Sequence, residues 1–307
     1  MNLKRILIVL QFSTIIFVLN AQNESHDVLH LGGSVYLLRP DHPKFGNPST
    51  IISVGVDGVF LVDPGPMDLI EELLLTIEGL DGKEIKYITT THHHGDHSEG
   101  LAYFAEEKGT MAPISQINLL SKARVFLSGE PLKKEQLPKI GFNSQIEISM
   151  NNEEIEITTL PNRKGHTGGD ILVYFKNAEV LAVGDYVFLE DIPIVDIYNE
   201  GTFEGFFENI KYILDTFPET TIIAPGHSTL KPEPIETYNM AELREYYQLV
   251  LESVQFIREK FDEGITLEEF EKIGLPQKFK VLSEPYIYVS ETRWIRIVNE
   301  HFNGHKN

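Results

Sequence analysis

Apolar positions along the chain switch repeatedly between the two-residue period of strands and the three-to-four-residue period of helices. Ser34-Val35-Tyr36-Leu37-Leu38 predicts a strand, and Thr50 to Val56 and Val59 to Val62 predict two more. Asp57-Gly58 between the latter pair is a hairpin signal. That hairpin ends at Asp63-Pro64-Gly65-Pro66, and Leu69, Ile70, Leu73, Leu74 and Ile77 then fall at helical spacing. Glu84 to Thr91 is rich in β-branched residues and predicts a strand. A helix carrying Leu101, Phe104 and Ala105 is expected from near His97. Between 108 and 143, Pro113, Pro131 and Pro138 interrupt any long element, with room for a helix around Ser115 to Lys122. Strict alternation returns at Gln145 to Ile148 and Glu154 to Thr158, which implies one buried and one wet face. Ile171 to Phe175, a turn at Lys176-Asn177-Ala178 and Val180 to Val183 predict a hairpin ending at Gly184-Asp185. A helix over Phe203 to Phe217 and a strand over Thr221 to Ala224 follow, the latter running out at Pro225-Gly226-His227. In the tail, Leu243, Tyr247, Val250, Val254, Ile257 and Phe261 mark one packed face of a long helix, with shorter helices at Thr266 to Ile273 and Arg293 to Phe302.

The turns between these elements carry the chemistry. Thr91-His92-His93-His94-Gly95-Asp96-His97 follows a predicted strand directly. On an extended chain His92 and His94 point to one side and His93 to the other. Gly95 permits the turn that brings Asp96 and His97 round to a neighbouring position. Imidazole nitrogen and carboxylate oxygen at close range are what zinc takes as ligands. The same arrangement, a strand followed by a glycine-containing turn and a donor, recurs at Gly165-His166, Gly184-Asp185 and Gly226-His227. If those strand ends share one edge of a sandwich, the donors converge. His26, His30, His42, His301 and His305 lie near the ends or in polar loops and are expected at the surface.

The chain has 307 residues, 42% of them hydrophobic, and a formal net charge of −20. That acidity argues against nucleic acid or an anionic membrane as partner. Lys4 and Arg5 precede an apolar run from Ile6 to Leu19, and Ala21-Gln22 follows. This is the pattern of a secretory signal peptide cleaved after Ala21, with a periplasmic or secreted mature protein and no stable membrane anchor. There is no cysteine, hence no disulfide, no thiolate ligand and no cysteine nucleophile.

His92-x-His94-x-Asp96-His97, with downstream Gly165-His166-Thr167, Gly184-Asp185 and Gly226-His227, resembles the metallo-β-lactamase-fold superfamily of dinuclear metallohydrolases. The resemblance runs from about Val35 to His227. It implies an α/β (α+β) fold, a four-layer αββα sandwich with the metal site at the sheet edge. Domain bounds expected on this basis are a signal peptide over 1–21, the metallo-β-lactamase-like domain over 22–232 and a C-terminal helical extension over 233–307 packed on the same domain. Carried onto this sequence, the family pattern places one metal on His92, His94 and His166 and a second on Asp96, His97 and His227. Asp185 would bridge them, and Asp63 would brace the ligand loop. Two divalent ions, with zinc the best match and iron or manganese also suited, would share a hydroxide that attacks a carbonyl, with Asp96 orienting it.

For the substrate the resemblance leaves alternatives open. A small-molecule thioester, ester, lactone or amide is favoured, because a bridging aspartate is typical of the glyoxalase-like and lactonase members. A true metallo-β-lactamase is the second reading, supported by export and by the cysteine-free second metal site. A mononuclear iron dioxygenase is the third; diiron relatives usually carry glutamate where His94 stands. Candidate rim positions are the loop Pro40 to Pro48, Asn162-Arg163-Lys164 as a carboxylate clamp, Asp191 to Asp196, and Tyr186 as an oxyanion donor.

Overall fold

The computed structural model describes residues 26–40, 48–107, 112–116, 140–188, 191–228, 237–282 and 289–304. Among these, the strands form two sheets. The first is laid down in chain order: β1 (His26–Gly32), β2 (Val35–Pro40), β3 (Thr50–Gly55), β4 (Gly58–Val62), β5 (Ile85–Thr89), β6 (Ala112–Gln116) and β7 (Ile140–Phe142). The second runs β12-β11-β10-β9-β8, from β8 (Gln145–Met150), β9 (Glu153–Thr159), β10 (Ile171–Phe175), β11 (Val180–Phe188) and β12 (Ile222–His227).

Alternation along the strands explains how the sheets face each other. Val35, Leu37, Ile51, Phe60 and Val62 from the first sheet bury against Ile155, Ile157, Ile171, Val173, Phe175, Val180 and Ala182 from the second. The residues between them point outward. Leu38, Ile52, Leu61 and Ile88 pack under α1 (Ile70–Gly79) and against Leu101 and Phe104, within α3 (Gly100–Glu107), which follows the single-turn α2 (Gly95–Ser98). On the other side, Leu172, Leu181, Val183 and Ile223 pack under α4 (Phe203–Thr216), α5 (Met240–Asp262) and α8 (Glu291–Asn303), flanked by α6 (Leu267–Ile273) and α7 (Gln277–Lys280). The result is helix, sheet, sheet, helix, with three apolar layers. Each fully buried leucine, isoleucine or phenylalanine in them contributes roughly 1.5–3 kcal/mol.

Several expectations need correction. The first strand is His26–Gly32, whose last residues turn through Gly32-Gly33 into β2. Its His26 is buried, not at the surface. His301 is half-buried, with Nε2 2.8 Å from Glu204 Oε2 and its ring on Phe203. Ser115 and Gln116 lie in strand β6; the remainder of the helix expected there, like the signal segment, His42, His305 and 41–47 of the rim loop, is outside the described residues. On α5 the buried tyrosine is Tyr246, not Tyr247. Strand β11 does not stop at Asp185 but continues to Phe188.

Parallel pairing decides where the loops go. β4 pairs parallel with β5, and β11 with β12. The carboxyl ends of these four strands therefore lie at one edge of the sandwich. Backbone bonds join the sheets there: Ser49 N–H to Gly226 O at 2.7 Å and Ile171 N–H to Thr91 O at 2.9 Å. Pro48 bridges to His227, so the rim loop re-enters the described structure beside that histidine.

Candidate metal centre

The edge collects the donors. His92, His94, His166 and Asp185 form one group, and Asp96, His97 and His227 a second, each with its ligand atoms within 4.8 Å of one another. The local chain accounts for this. Residues 91 to 93 bend away from the end of β5, and His94, extended at φ −61, ψ 143, caps α2, accepting from the backbone N–H of His97 and Ser98 at 3.1 and 2.9 Å. Asp96 and His97 ride on that turn. Asp185 enters from β11, and His227 ends β12. Gly226 must be glycine: a Cβ there would lie 2.2 Å from Asp185 Oδ1.

In the first group His94 Nδ1 is 3.1 Å from both His92 Nε2 and His166 Nε2. Asp185 Oδ2 is 3.7 and 3.6 Å from those Nε2 atoms. In the second, His97 Nε2 is 3.0 Å from His227 Nε2 and 3.8 Å from Asp96 Oδ2, with His227 Nε2 3.4 Å from the latter. Asp185 also reaches this group, Oδ1 lying 3.3 Å from His97 Nε2 and Oδ2 3.5 Å from His227 Nε2. It stands between the two.

The outer ring nitrogens show which way the lone pairs face. His94 Nε2–H donates to Asp196 Oδ2 at 2.8 Å, and His166 Nδ1–H to Ile194 O at 2.7 Å. His97 Nδ1–H donates to Asp63 Oδ2 at 3.1 Å. A neutral imidazole with its proton outside presents a bare lone pair inside. Lone pairs and carboxylates 3–4 Å apart repel unless positive charge sits among them. Without metal that charge comes from protons. Burial opposes it, yet Asp185, Asp96 and Asp63 push His97 up to about 10, and Asp185 and Asp96 drive His227 well above its usual range. Burial likewise opposes ionisation of Asp96, but His97 and His227 hold it at about 2. Asp185 falls well below the carboxylate range against its burial, through His227, His97 and His92. Burial dominates at His92 and His166 and lowers both.

A divalent cation fits this set. Two ligands at 2.0–2.1 Å around a tetrahedral ion stand roughly 3.3–3.4 Å apart, close to the observed spacings. Asp185 Oδ1 is buried with no hydrogen-bond donor, the state of a carboxylate oxygen suited to an ion.

The surroundings correct other expectations. Tyr186 is no oxyanion donor: it is buried, and its hydroxyl donates to Asp170 Oδ2 at 2.7 Å while accepting from Asn209 Nδ2 at 2.8 Å. Asp170 also takes the backbone N–H and the hydroxyl of Thr167, so these three residues hold the His166 loop in shape. Arg163, which is exposed, gives one N–H to Asn143 O at 2.7 Å. Asp196, seen in the sequence only as part of a rim, holds His94, and Phe188 stacks on His227 with ring centroids 5.5 Å apart. Phe188 was missed because the strand was read as ending at Asp185, and Asp196 carried no signal beyond its place in that rim.

Comparison with known proteins agrees with the fold. Residues 43–250 match the family described as the metallo-beta-lactamase superfamily. A metallo-beta-lactamase from Pontibacter korlensis superposes with a TM-score of 0.60 at 16% identity, covering 74% of this chain and 99% of that one. DIM-1 metallo-beta-lactamase gives 0.57 at 15%, covering 74% and 97%. Among curated sequences, hydroxyacylglutathione hydrolases match from Pelagibacter ubique (30% identical over 159 residues, 50% of this chain and 57% of that one) and Prochlorococcus marinus (26% over 184 residues, 59% and 65%). The chain therefore spans less than two thirds of the length of these curated relatives. With its family match over more than half its length and the sandwich built accordingly, the chain belongs to the metallo-β-lactamase superfamily.

Proposed function

We propose that the protein is a metal-dependent hydrolase of small-molecule thioesters, or of esters, lactones or amides of similar size. The observation that carries this is Asp185, a buried carboxylate reaching both donor groups with one oxygen free of any hydrogen bond. In this reading His92, His94 and His166 hold one ion, Asp96, His97 and His227 a second, and Asp185 both. Zinc suits the imidazole-rich set best. Such ions, when bound, would lower the pKa of water towards ~7 and polarise a carbonyl.

The chain's own groups do the rest. Asp63, Asp196 and the Ile194 carbonyl take the outer imidazole protons and aim the inner lone pairs. Asp96 is the more open of the two central carboxylates, 16% exposed against 2% for Asp185. It is placed to accept a hydrogen bond from water and orient it. The name of the curated relatives supports the thioester class, since hydroxyacylglutathione is an acyl group on a thiol. The solved neighbours named β-lactamases support the second reading, hydrolysis of β-lactams. We also propose export to the periplasm or medium, supported by the charged and apolar N-terminal segment ending at Ala21.

The test is a paired assay on the zinc-loaded mature protein, with S-lactoylglutathione and a carbapenem as substrates, each with and without chelator. Chelator-sensitive thioester cleavage at a higher kcat/KM than carbapenem cleavage is expected. The reverse order would establish the β-lactamase reading. Absence of both activities with two zinc ions bound would overturn the substrate class.

A further inference from the structure

We propose that Thr91 is a positioning residue whose hydroxyl fixes the proton of His92 on Nδ1, so that one carboxylate, Asp63, sets one donor in each group. The argument is a proton count. Thr91 Oγ1 lies 2.8 Å from Asp63 Oδ2 and 3.0 Å from His92 Nδ1. A hydroxyl has one proton to give. The carboxylate accepts only, so the proton goes to Asp63. Towards His92 the oxygen offers a lone pair, and Nδ1 must carry the hydrogen. Nε2 is then bare, and it is the atom facing His94 Nδ1 at 3.1 Å.

Asp63 is itself held for this task. Its Oδ1 accepts from the Thr91 N–H at 2.6 Å and the Thr90 hydroxyl at 3.0 Å, and its own backbone sits at φ 55. The same Oδ2 that orients Thr91 takes His97 Nδ1–H at 3.1 Å. His92 belongs to the first group and His97 to the second, and Asp63 is the one carboxylate behind both. Space for the Thr91 hydroxyl comes from the other sheet. Gly184 has φ +53, and a Cβ there would lie 2.5 Å from Thr91 Oγ1 and 3.5 Å from His92 Nδ1. The bulge that carries β11 past Asp185 thus also makes room for the relay.

The role of Thr91 in ion affinity rests on the metal reading above; its role in the tautomer does not, and the two are measured separately. Metal-free protein with 15N-labelled imidazoles is examined by long-range 1H–15N NMR, with His92→Gln used to assign the signals. In the wild type and in Thr91→Ser, His92 should show a protonated Nδ1 and a bare Nε2; in Thr91→Val the preference should be lost. Zinc titration against a chromophoric chelator should show one ion weakened 10- to 100-fold in Thr91→Val, the other within threefold, and Thr91→Ser within threefold of wild type for both. A wild-type His92 protonated on Nε2 would overturn the proposal, and that spectrum needs no variant to fold. So would a Thr91→Val protein with unchanged tautomer and unchanged affinities. Failure of the wild type to bind zinc would strike the metal reading alone and leave the spectrum to judge Thr91.

Discussion

His94 and Asp196 form the plainest pair at which one side chain acts through another. The imidazole offers Nδ1 inward, and its Nε2–H is held at 2.8 Å by a carboxylate that also takes Asn199 Nδ2 at 2.7 Å and the Tyr198 N–H at 3.2 Å. Burial disfavours charge on His94, yet the bond to Asp196 raises it. Asp196→Ala should leave the fold intact and weaken binding of one zinc ion about 10- to 100-fold, read by chelator competition. Asp196→Asn, whose amide oxygen still accepts, should recover most of that loss. Of the seven positions that the structure gathers, His92, His94, Asp96 and His97 stood out in the sequence as one turn dense in histidine after an apolar strand, while His166, Asp185 and His227 came through the recurring strand, glycine and donor pattern and the family resemblance. Asp196 was not, because Asp-Ile-Tyr-Asn is what an ordinary turn looks like. Its partner is 102 residues away, and no local pattern encodes that distance. Tyr186 failed for the converse reason: its place after Asp185 suggested the site, but strand alternation turns it to the helical face, where it stacks on Phe206.

Most strands and helices were legible, since period and turn chemistry agree over β2 to β5, β8 to β11 and the long α4 and α5. Capping fixed some ends closely: Asn239 and Glu242 form a reciprocal cap at the start of α5, and Thr266 and Glu269 do the same for α6. The first strand was missed because His26-Asp27-Val28-Leu29-His30 puts polar residues at an edge position, with no clean alternation. Its buried histidine makes a prediction. Burial lowers His26 to about 4 against the upward pull of Glu72. The folded value lies below the ordinary 6.5, so the unfolded chain binds the proton first. The contribution to stability is then complete above about 6.5 and lost as pH falls towards 4. His26→Phe should therefore lose less stability than wild type between pH 7 and pH 4.5. A difference of roughly 1–3 kcal/mol in urea unfolding is expected.

The whole molecule sets an acidic exterior, −20 over the full chain, around an edge where carboxylates and imidazoles crowd together. The sandwich itself was implied by the resemblance, and its three apolar layers follow from strand alternation. The tail was expected to pack on the same domain; that α5 and α8 cover the same layer as α4 came only with the structure, because a helical face does not name what it meets. Charge at the site gives a pH signature. His97, raised to about 10, stabilises the metal-free fold fully below its unfolded value near 6.5, and this is lost as pH rises towards 10. Asp96, held at about 2, contributes above about 4 and is lost as pH falls through 2. These two residues contribute most between about pH 4 and 6.5; because His26 loses its share below about 6.5, the metal-free protein should be most stable near pH 6.5. Zinc competes with the His97 proton, so its apparent affinity should climb as pH rises. The gap in Tm between zinc-loaded and chelator-treated protein should widen from pH 6 to pH 9. A constant gap would show that protons and metal do not compete for these nitrogens.

The donors enter from the end of β5, the loop before β10, β11 and β12, and the last of them, His227, closes the second sheet. The first group, with Asp185, is complete only once the chain has run from β5 to β11, and the second needs β12 as well. A nascent or refolding chain can offer an ion only the His92-to-His97 turn until the His166 loop and β11 dock, the second group waits for the final strand, and loop closure over such spans comes late. On the metal reading proposed above, an ion would be captured by architecture already assembled instead of templating it, the opposite of a zinc finger. An ion bound here would act as a latch thrown after assembly, and filling of both groups would mark the moment the two sheets have met.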